Sequence, residues 1–137
     1  MPPVDSDSSH RYTLVLDLDE TLIHYVDMSH TLSSVNDEVN GDDSFFLIRP
    51  FCHRFLAELS KLYEIVIFTA GVQEYADWVI DQLDPKGKLI SHRLYRQHTI
   101  NRDLNSALPL IIKDLSKIGR DLSKTIIVDN IAENFLL

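Results

Sequence analysis

Three apolar runs organise the chain: Tyr12–Leu16, Tyr63–Phe68 and Thr125–Val128. Runs of this length and apolar density predict strands buried on both faces. Between them the apolar positions recur at helical spacing. Pro50 suits a helix start, and Phe51, Phe55, Leu56, Leu59 and Leu62 then form an amphipathic stripe that would cover a sheet. Tyr75, Ala76, Val79, Ile80 and Leu83 form a second stripe, stopped by the breaker Asp84-Pro85-Lys86-Gly87. Ile90 to Ile100 reads as strand with His92, Arg93, Arg96 and His98 projecting, and 101–106 as polar loop. Leu108–Ile112 is a short apolar segment ending at Lys113-Asp114. Leu115 and Ile118 then make a turn and a half of helix closed by Gly119. Strands alternating with helices predict an α/β fold, a Rossmann-like parallel sheet with helices on both faces.

Two stretches depart from the alternation. Residues 27–44 are rich in Ser, Thr, Asn and Asp and lead into Phe45–Ile48; they predict a small β-hairpin flap with Asn40-Gly41 as its tip. Their acids lack calcium-loop spacing. Residues 1–11 hold Pro, Ser and Asp without the apolar core of a secretory signal, and are expected to be a flexible arm before a domain over 12–137. No internal repeat is read in the chain.

Length and composition narrow the function. With 137 residues and 45% apolar content, one globular domain is expected. A net charge of -8 argues against nonspecific nucleic-acid binding but leaves room for a phosphorylated substrate at a locally cationic site. Cys52 stands alone, which gives no disulfide framework and no Cys-based zinc site, fits a reducing compartment, and makes it a small packed residue. No apolar run approaches membrane-spanning length.

The chemistry collects at strand ends. Asp17-Leu18-Asp19-Glu20-Thr21-Leu22 follows the first run, and the carboxyl ends of strands are where α/β sheets bind ligands. Two clustered acids repel unless a cation lies between them or one keeps its proton. His24, just behind, reads as a packed histidine rather than a ligand. The second strand ends at Thr69-Ala70-Gly71. Thr69 fits two readings equally, a grip on a phosphate oxygen or an ordinary helix N-cap. The third strand ends at Asp129-Asn130, and Lys113 adds a cation. If Asp17, Asp19 and Asn130 converge, their hard oxygens suit Mg²⁺. Lys113 and Thr69 then hold phosphoryl oxygens. Asp17 is the nucleophile that forms an aspartyl-phosphate, and Asp19 the general acid and then base.

DLDETL, then strand-FTAG, then KDL, then VDN resembles the haloacid dehalogenase superfamily of aspartate-nucleophile phosphatases. RPFCHRFL, FTAGVQEYAD and IIKDLSKIGRDL resemble its RNA polymerase II C-terminal-domain phosphatase branch, also called NLI-interacting-factor-like, from Tyr12 to the end of the chain. The resemblance implies a phosphoserine/phosphothreonine protein phosphatase working inside the cell, nuclear or cytoplasmic. It implies that Asp19 binds Mg²⁺ through its carbonyl, that Asp129 supports the metal site and that Thr21 supports the motif loop. It also implies that Arg96 lies near the phosphate, and that Val72 and Tyr75 line an apolar pocket for a peptide side chain. The family's aromatic past the motif has no counterpart at Asp27, and Tyr25 is the nearest. The family continues past VDN, so the domain is expected to be cut short at its C-terminus.

Spacing speaks to substrate. About 52 positions separate Asp17 from Thr69 and about 44 separate Thr69 from Lys113, too few for a large cap domain beside the elements they must hold. An uncapped cleft admits a phosphorylated peptide or protein. A competing reading is a catalytically silent protein-interaction module of the same fold, as in a mitochondrial import receptor. The presence of Asp17, Asp19, Thr69, Lys113 and Asn130 favours the enzyme. No nucleic-acid or membrane partner is expected.

Overall fold

The computed structural model describes Met1 and residues 12–26, 45–102 and 110–136. All of the predicted arm over 1–11 except Met1, the hairpin tip at Asn40-Gly41 and the polar loop beyond Arg102 lie outside the described residues. In chain order the elements are β1 (Tyr12–Leu16), β2 (Ile23–Val26), β3 (Phe45–Ile48), α1 (Cys52–Leu59), β4 (Tyr63–Phe68), α2 (Gln73–Leu83) and β5 (His92–Leu94). They continue with β6 (Ile100–Arg102), β7 (Leu110–Asp114), β8 (Thr125–Val128) and β9 (Phe135–Leu136).

The main sheet is parallel throughout, in the order β5-β4-β1-β8. This is the expected Rossmann-like α/β arrangement. β1 and β4 lie inside it and are covered on both faces, which is why they read as near-continuous apolar runs. β8, expected to be buried in the same way, is instead the last strand of the order and leaves Ile126 and Val128 exposed. Leu14, Leu16, Ile65 and Ile67 point to one face and pack against Leu56 of α1 and Ala76, Val79, Ile80 and Leu83 of α2. Val15, Val66 and Phe68 point to the other, where Leu115 and Ile118 cover them. Helical cover thus takes two forms: two α-helices on one face and single 3₁₀ turns on the other. β2 and β3 pair antiparallel as the expected small hairpin, and Phe46 meets Trp78 of α2 edge-on at 4.8 Å.

Register places the chemistry. Leu16 is level with Ile67 on β4 and with Val128 on β8. Asp17 and Asp129 therefore emerge level with each other, and Thr69 one residue further on, at the carboxyl ends of three adjacent strands. β7 is not in this sheet. It pairs with β6 and β9 in a separate three-stranded sheet and brings Lys113 in from the side.

Several expectations need correction. Ile90–Ile100 is not one strand: β5 joins the main sheet, a 3₁₀ turn over Arg96–His98 intervenes, and β6 joins the second sheet. The α1 stripe is narrower than its spacing suggests. Cys52 and Leu56 are buried, while Phe51, Phe55 and Leu62 are exposed. Phe51 has φ 66, rare for a bulky residue, and is 81% exposed. His24 is exposed rather than packed, its Nδ1 lying 2.7 Å from Glu20 Oε1. A short repeat also exists. Asp-Leu-Ser-Lys occurs at 114–117 and 121–124, and each copy forms the same 3₁₀ turn, the Asp carboxylate accepting from the Ser backbone N–H at 3.1 and 3.0 Å. Gly119 ends the first turn with φ 72, as its sequence position suggested.

Candidate active site

The DLDETL motif leaves β1 in a tight turn. The N–H groups of Leu22 and Ile23 converge on the Leu18 carbonyl at 2.9 and 3.2 Å, and Glu20 adopts φ 62. A left-handed glutamate needs support from its surroundings. Arg49, just after β3, supplies it. Its Nε donates to the Thr21 carbonyl at 2.6 Å and Nη2 to the Glu20 carbonyl at 3.1 Å. Sequence reasoning missed Arg49, because the contact spans 28 positions and nothing local marks it.

Asp17 is buried, 7% exposed. Its Oδ2 accepts from Thr21 Oγ1 at 3.1 Å and its Oδ1 from Lys113 Nζ at 2.7 Å. Lys113 is 1% exposed, and its ammonium also donates to Asp129 Oδ2 at 2.6 Å. Asp129 is fixed in turn by the Ile131 N–H at 2.9 Å. Two carboxylates thus share one buried ammonium, leaving net negative charge out of water. Burial is the largest influence on Asp17 and raises its pKa above the ordinary carboxylate value, while Lys113 pulls the other way.

Asp19 faces a different space. Tyr75 Oη donates to its Oδ1 at 2.6 Å and Thr69 Oγ1 to its Oδ2 at 3.3 Å. Thr69 is fully buried and accepts the Gly71 N–H at 2.9 Å. It is not the cap of α2; Val72 holds that position, without a side-chain bond. A cleft of about 810 Å³ opens here, lined by Asp19, Tyr25, Val72, Tyr75, Trp78 and Arg96. Tyr25 meets Tyr75 edge-on at 5.5 Å, so the nearest aromatic past the motif does reach the cleft. Arg96 lies at the rim, its Nε donating to the Ala70 carbonyl at 2.7 Å. Trp78 and Phe46 were not singled out from sequence, because Trp78 falls outside the apolar stripe of α2 and its contact with Phe46 joins elements distant in the chain.

Asn130 is exposed and borders a second cavity of about 480 Å³ with Glu20, Thr21 and Asp129. Among the described residues no hydrogen bond joins Asn130 to Asp17. Nor, among them, do three or more His, Cys, Asp or Glu side chains cluster to hold a metal ion. No helix among the described residues is long and apolar enough to cross a membrane.

The family model of the NLI interacting factor-like phosphatases matches residues 12–137. The chain belongs to that family. It is 39% identical over 137 residues to CTD small phosphatase-like protein 3 of Caenorhabditis elegans, covering 97% of this chain and 46% of that protein. It is 38% identical over 140 residues to Phosphatase PSR1 of Saccharomyces cerevisiae, covering 99% and 31%. It is 35% identical over 140 residues to human carboxy-terminal domain RNA polymerase II polypeptide A small phosphatase 2, covering 99% and 49%. Among solved structures, the fission yeast RNA polymerase II CTD phosphatase Fcp1-R271A bound to beryllium fluoride superposes with a TM-score of 0.65 at 27% identity, over 92% of this chain and 40% of that one. The chain spans less than half the length of each of these relatives.

Proposed function

We propose that the chain is a Mg²⁺-dependent phosphoserine/phosphothreonine protein phosphatase of the cell interior that works through an aspartyl-phosphate on Asp17. The RNA polymerase II C-terminal repeat is one substrate that its relatives' names suggest. The observation that carries the reading is the charge arrangement at the strand ends: Asp17 beside a buried Lys113, with Asp19 turned to an open cleft. A phosphoryl group needs an in-line nucleophile, a cation for its oxygens and a proton for the leaving oxygen, and this arrangement offers one of each.

In this mechanism an Asp17 carboxylate oxygen attacks phosphorus, the bond from phosphorus to the ester oxygen breaks, and that oxygen takes a proton from Asp19. Asp19, now ionised, takes a proton from the water that releases phosphate. Lys113 keeps Asp17 ionised and oriented, Thr69 turns its one hydroxyl proton from Asp19 to a phosphoryl oxygen when substrate binds, and Thr21 fixes the second Asp17 oxygen. The donor set fits a hard divalent cation. Asp17 Oδ, the Asp19 carbonyl and the Asn130 amide oxygen would hold it, with Asp129 in support, and the two-to-one excess of buried carboxylate over ammonium favours it. When bound, Mg²⁺ neutralises charge on the phosphoryl oxygens. The aromatic wall of Tyr25, Tyr75 and Trp78 with Val72 offers apolar surface to a protein side chain, and Arg96 adds positive charge at the rim.

The test is hydrolysis of an aryl phosphate with Mg²⁺ or with chelator, by the wild type and by Asp17→Asn. Turnover that needs Mg²⁺ and disappears in the variant supports the reading. A folded wild type that turns over no phosphate monoester contradicts it.

A further inference from the structure

Tyr75 has been counted as a wall of the cleft, yet its hydroxyl makes one of the shortest bonds at the site, 2.6 Å to Asp19 Oδ1. A carboxyl has two oxygens, and a general acid works only when the protonated one faces the leaving group. An oxygen accepting a short hydrogen bond from a phenol is the less basic of the two, which leaves Oδ2 as the oxygen to carry the proton whenever Asp19 acts as the acid. Oδ2 is also the more loosely held, by Thr69 at 3.3 Å. Thr69 Oγ1 is steered by the Gly71 N–H. A tyrosine hydroxyl keeps its proton at neutral pH, so it serves here as the donor.

We infer that Tyr75 is a positioning residue that directs the Asp19 proton to Oδ2 and couples that orientation to whatever packs on its ring. The inference rests on the phosphatase reading above. A second observation supports it. A Cβ at Gly71 would come within 3.1 Å of Thr69 Oγ1, 3.3 Å of Tyr75 Cδ1 and 3.7 Å of Asp19 Oδ2. Tyr75, Thr69 and Asp19 therefore close around a position where only glycine fits without displacement. The ring sits between Tyr25 and Trp78, at centroid distances of 5.5 and 6.3 Å, so a side chain bound in the cleft bears on the residue that aims the proton.

The experiment compares kcat/KM of the wild type and Tyr75→Phe over substituted phenyl phosphates of increasing leaving-group basicity. kcat/KM reports formation of the phosphoenzyme, the step in which the leaving oxygen needs its proton. The expected loss is within about threefold for p-nitrophenyl phosphate, whose leaving group departs unaided, and grows to about 10–100-fold for the most basic phenol. Gly71→Ala, which crowds the same cluster from the opposite side, should steepen the dependence in the same direction. Equal losses across the series, or a change confined to KM, overturn the inference and reduce Tyr75 to a binding wall. Asp17→Asn is run alongside. If the wild type is active and Asp17-dependent while Tyr75→Phe loses activity evenly, the inference alone fails. If the wild type is inactive on every ester, the phosphatase reading fails and takes the inference with it.

Discussion

The two ends of the parallel sheet both bury charge, but they balance it differently. At the amino end, Glu64 of β4 accepts from Arg120 Nε and Nη2 at 2.7 Å each and from Thr13 Oγ1 at 3.1 Å. Among the described residues that carboxylate meets the Arg120 guanidinium in a fork that matches it, with His92 Nε2 3.2 Å from Oε1, and those contacts hold the Glu64 pKa below the ordinary value. At the carboxyl end, Asp17 and Asp129 share the single ammonium of Lys113, and burial holds the Asp17 pKa above the ordinary value. The same kind of residue, at opposite ends of neighbouring strands, is shifted in opposite directions. The balanced end fastens the turn after β7 to β4. The unbalanced end is what a site for an additional cation and a phosphoryl group requires, and it is stable only because the sheet around it over-determines it.

The sharpest way to break this contrast is to remove the charge that drives it. Asp17→Asn should lower phosphate-ester turnover by roughly 10⁴-fold or more. It should leave stability in chelator equal or higher, since an uncompensated buried carboxylate is gone; chemical denaturation reads the second half. Lys113→Met comes next. It should reduce turnover by about 10²–10³-fold and destabilise the fold by about 3–5 kcal/mol, because two buried carboxylates lose their partner. At the other end, Glu64→Gln should cost a similar few kcal/mol of stability, yet leave turnover per folded molecule within about threefold. If Glu64→Gln cripples catalysis instead, the two ends are not separable.

Acid titration sharpens the same comparison. The folded pKa of Glu64 is depressed, so its contribution is fully present above the unfolded value of about 4.3 and is lost as pH falls through the folded value. Wild-type stability should therefore drop across that acidic window, and Glu64→Gln should drop less. The smallest effect is expected at Arg49. Arg49→Met removes two hydrogen bonds to the Glu20 and Thr21 carbonyls. It should cost about 1–2 kcal/mol and reduce kcat more than it raises KM, because it loosens the motif turn and not the cleft.

Much of this was legible in sequence, for a physical reason. β1, β4 and β8 are strands of apolar composition whose next residues are polar, so the runs and the termini Asp17, Thr69 and Asp129 mark each other. What stayed hidden was short or long-range. The strand read over 90–100 does include His92-Arg93-Leu94, but its break into a 3₁₀ turn at Arg96–His98 was not legible; the short edge strand holds its place through Arg93, bonded to Asp77 at 2.8 Å and Asp81 at 2.9 Å on α2. Helical spacing put Phe51, Phe55 and Leu62 on a buried face, but α1 ends at Leu59 and starts after a left-handed Phe51, which turns those side chains outward. The Arg49 clamp and the Arg120–Glu64 fork join residues 28 and 56 positions apart, which no local pattern encodes.

The central claim is that Asp17 carries the phosphoryl group. The most direct measurement is acid quench of the enzyme during turnover of a radiolabelled phosphoserine peptide, followed by mapping of the label. The account predicts acid-stable, base-labile label on the peptide containing Asp17, present in the wild type and absent from Asp17→Asn. Turnover of the peptide with no label on the protein, or with the label on a different residue, would contradict it.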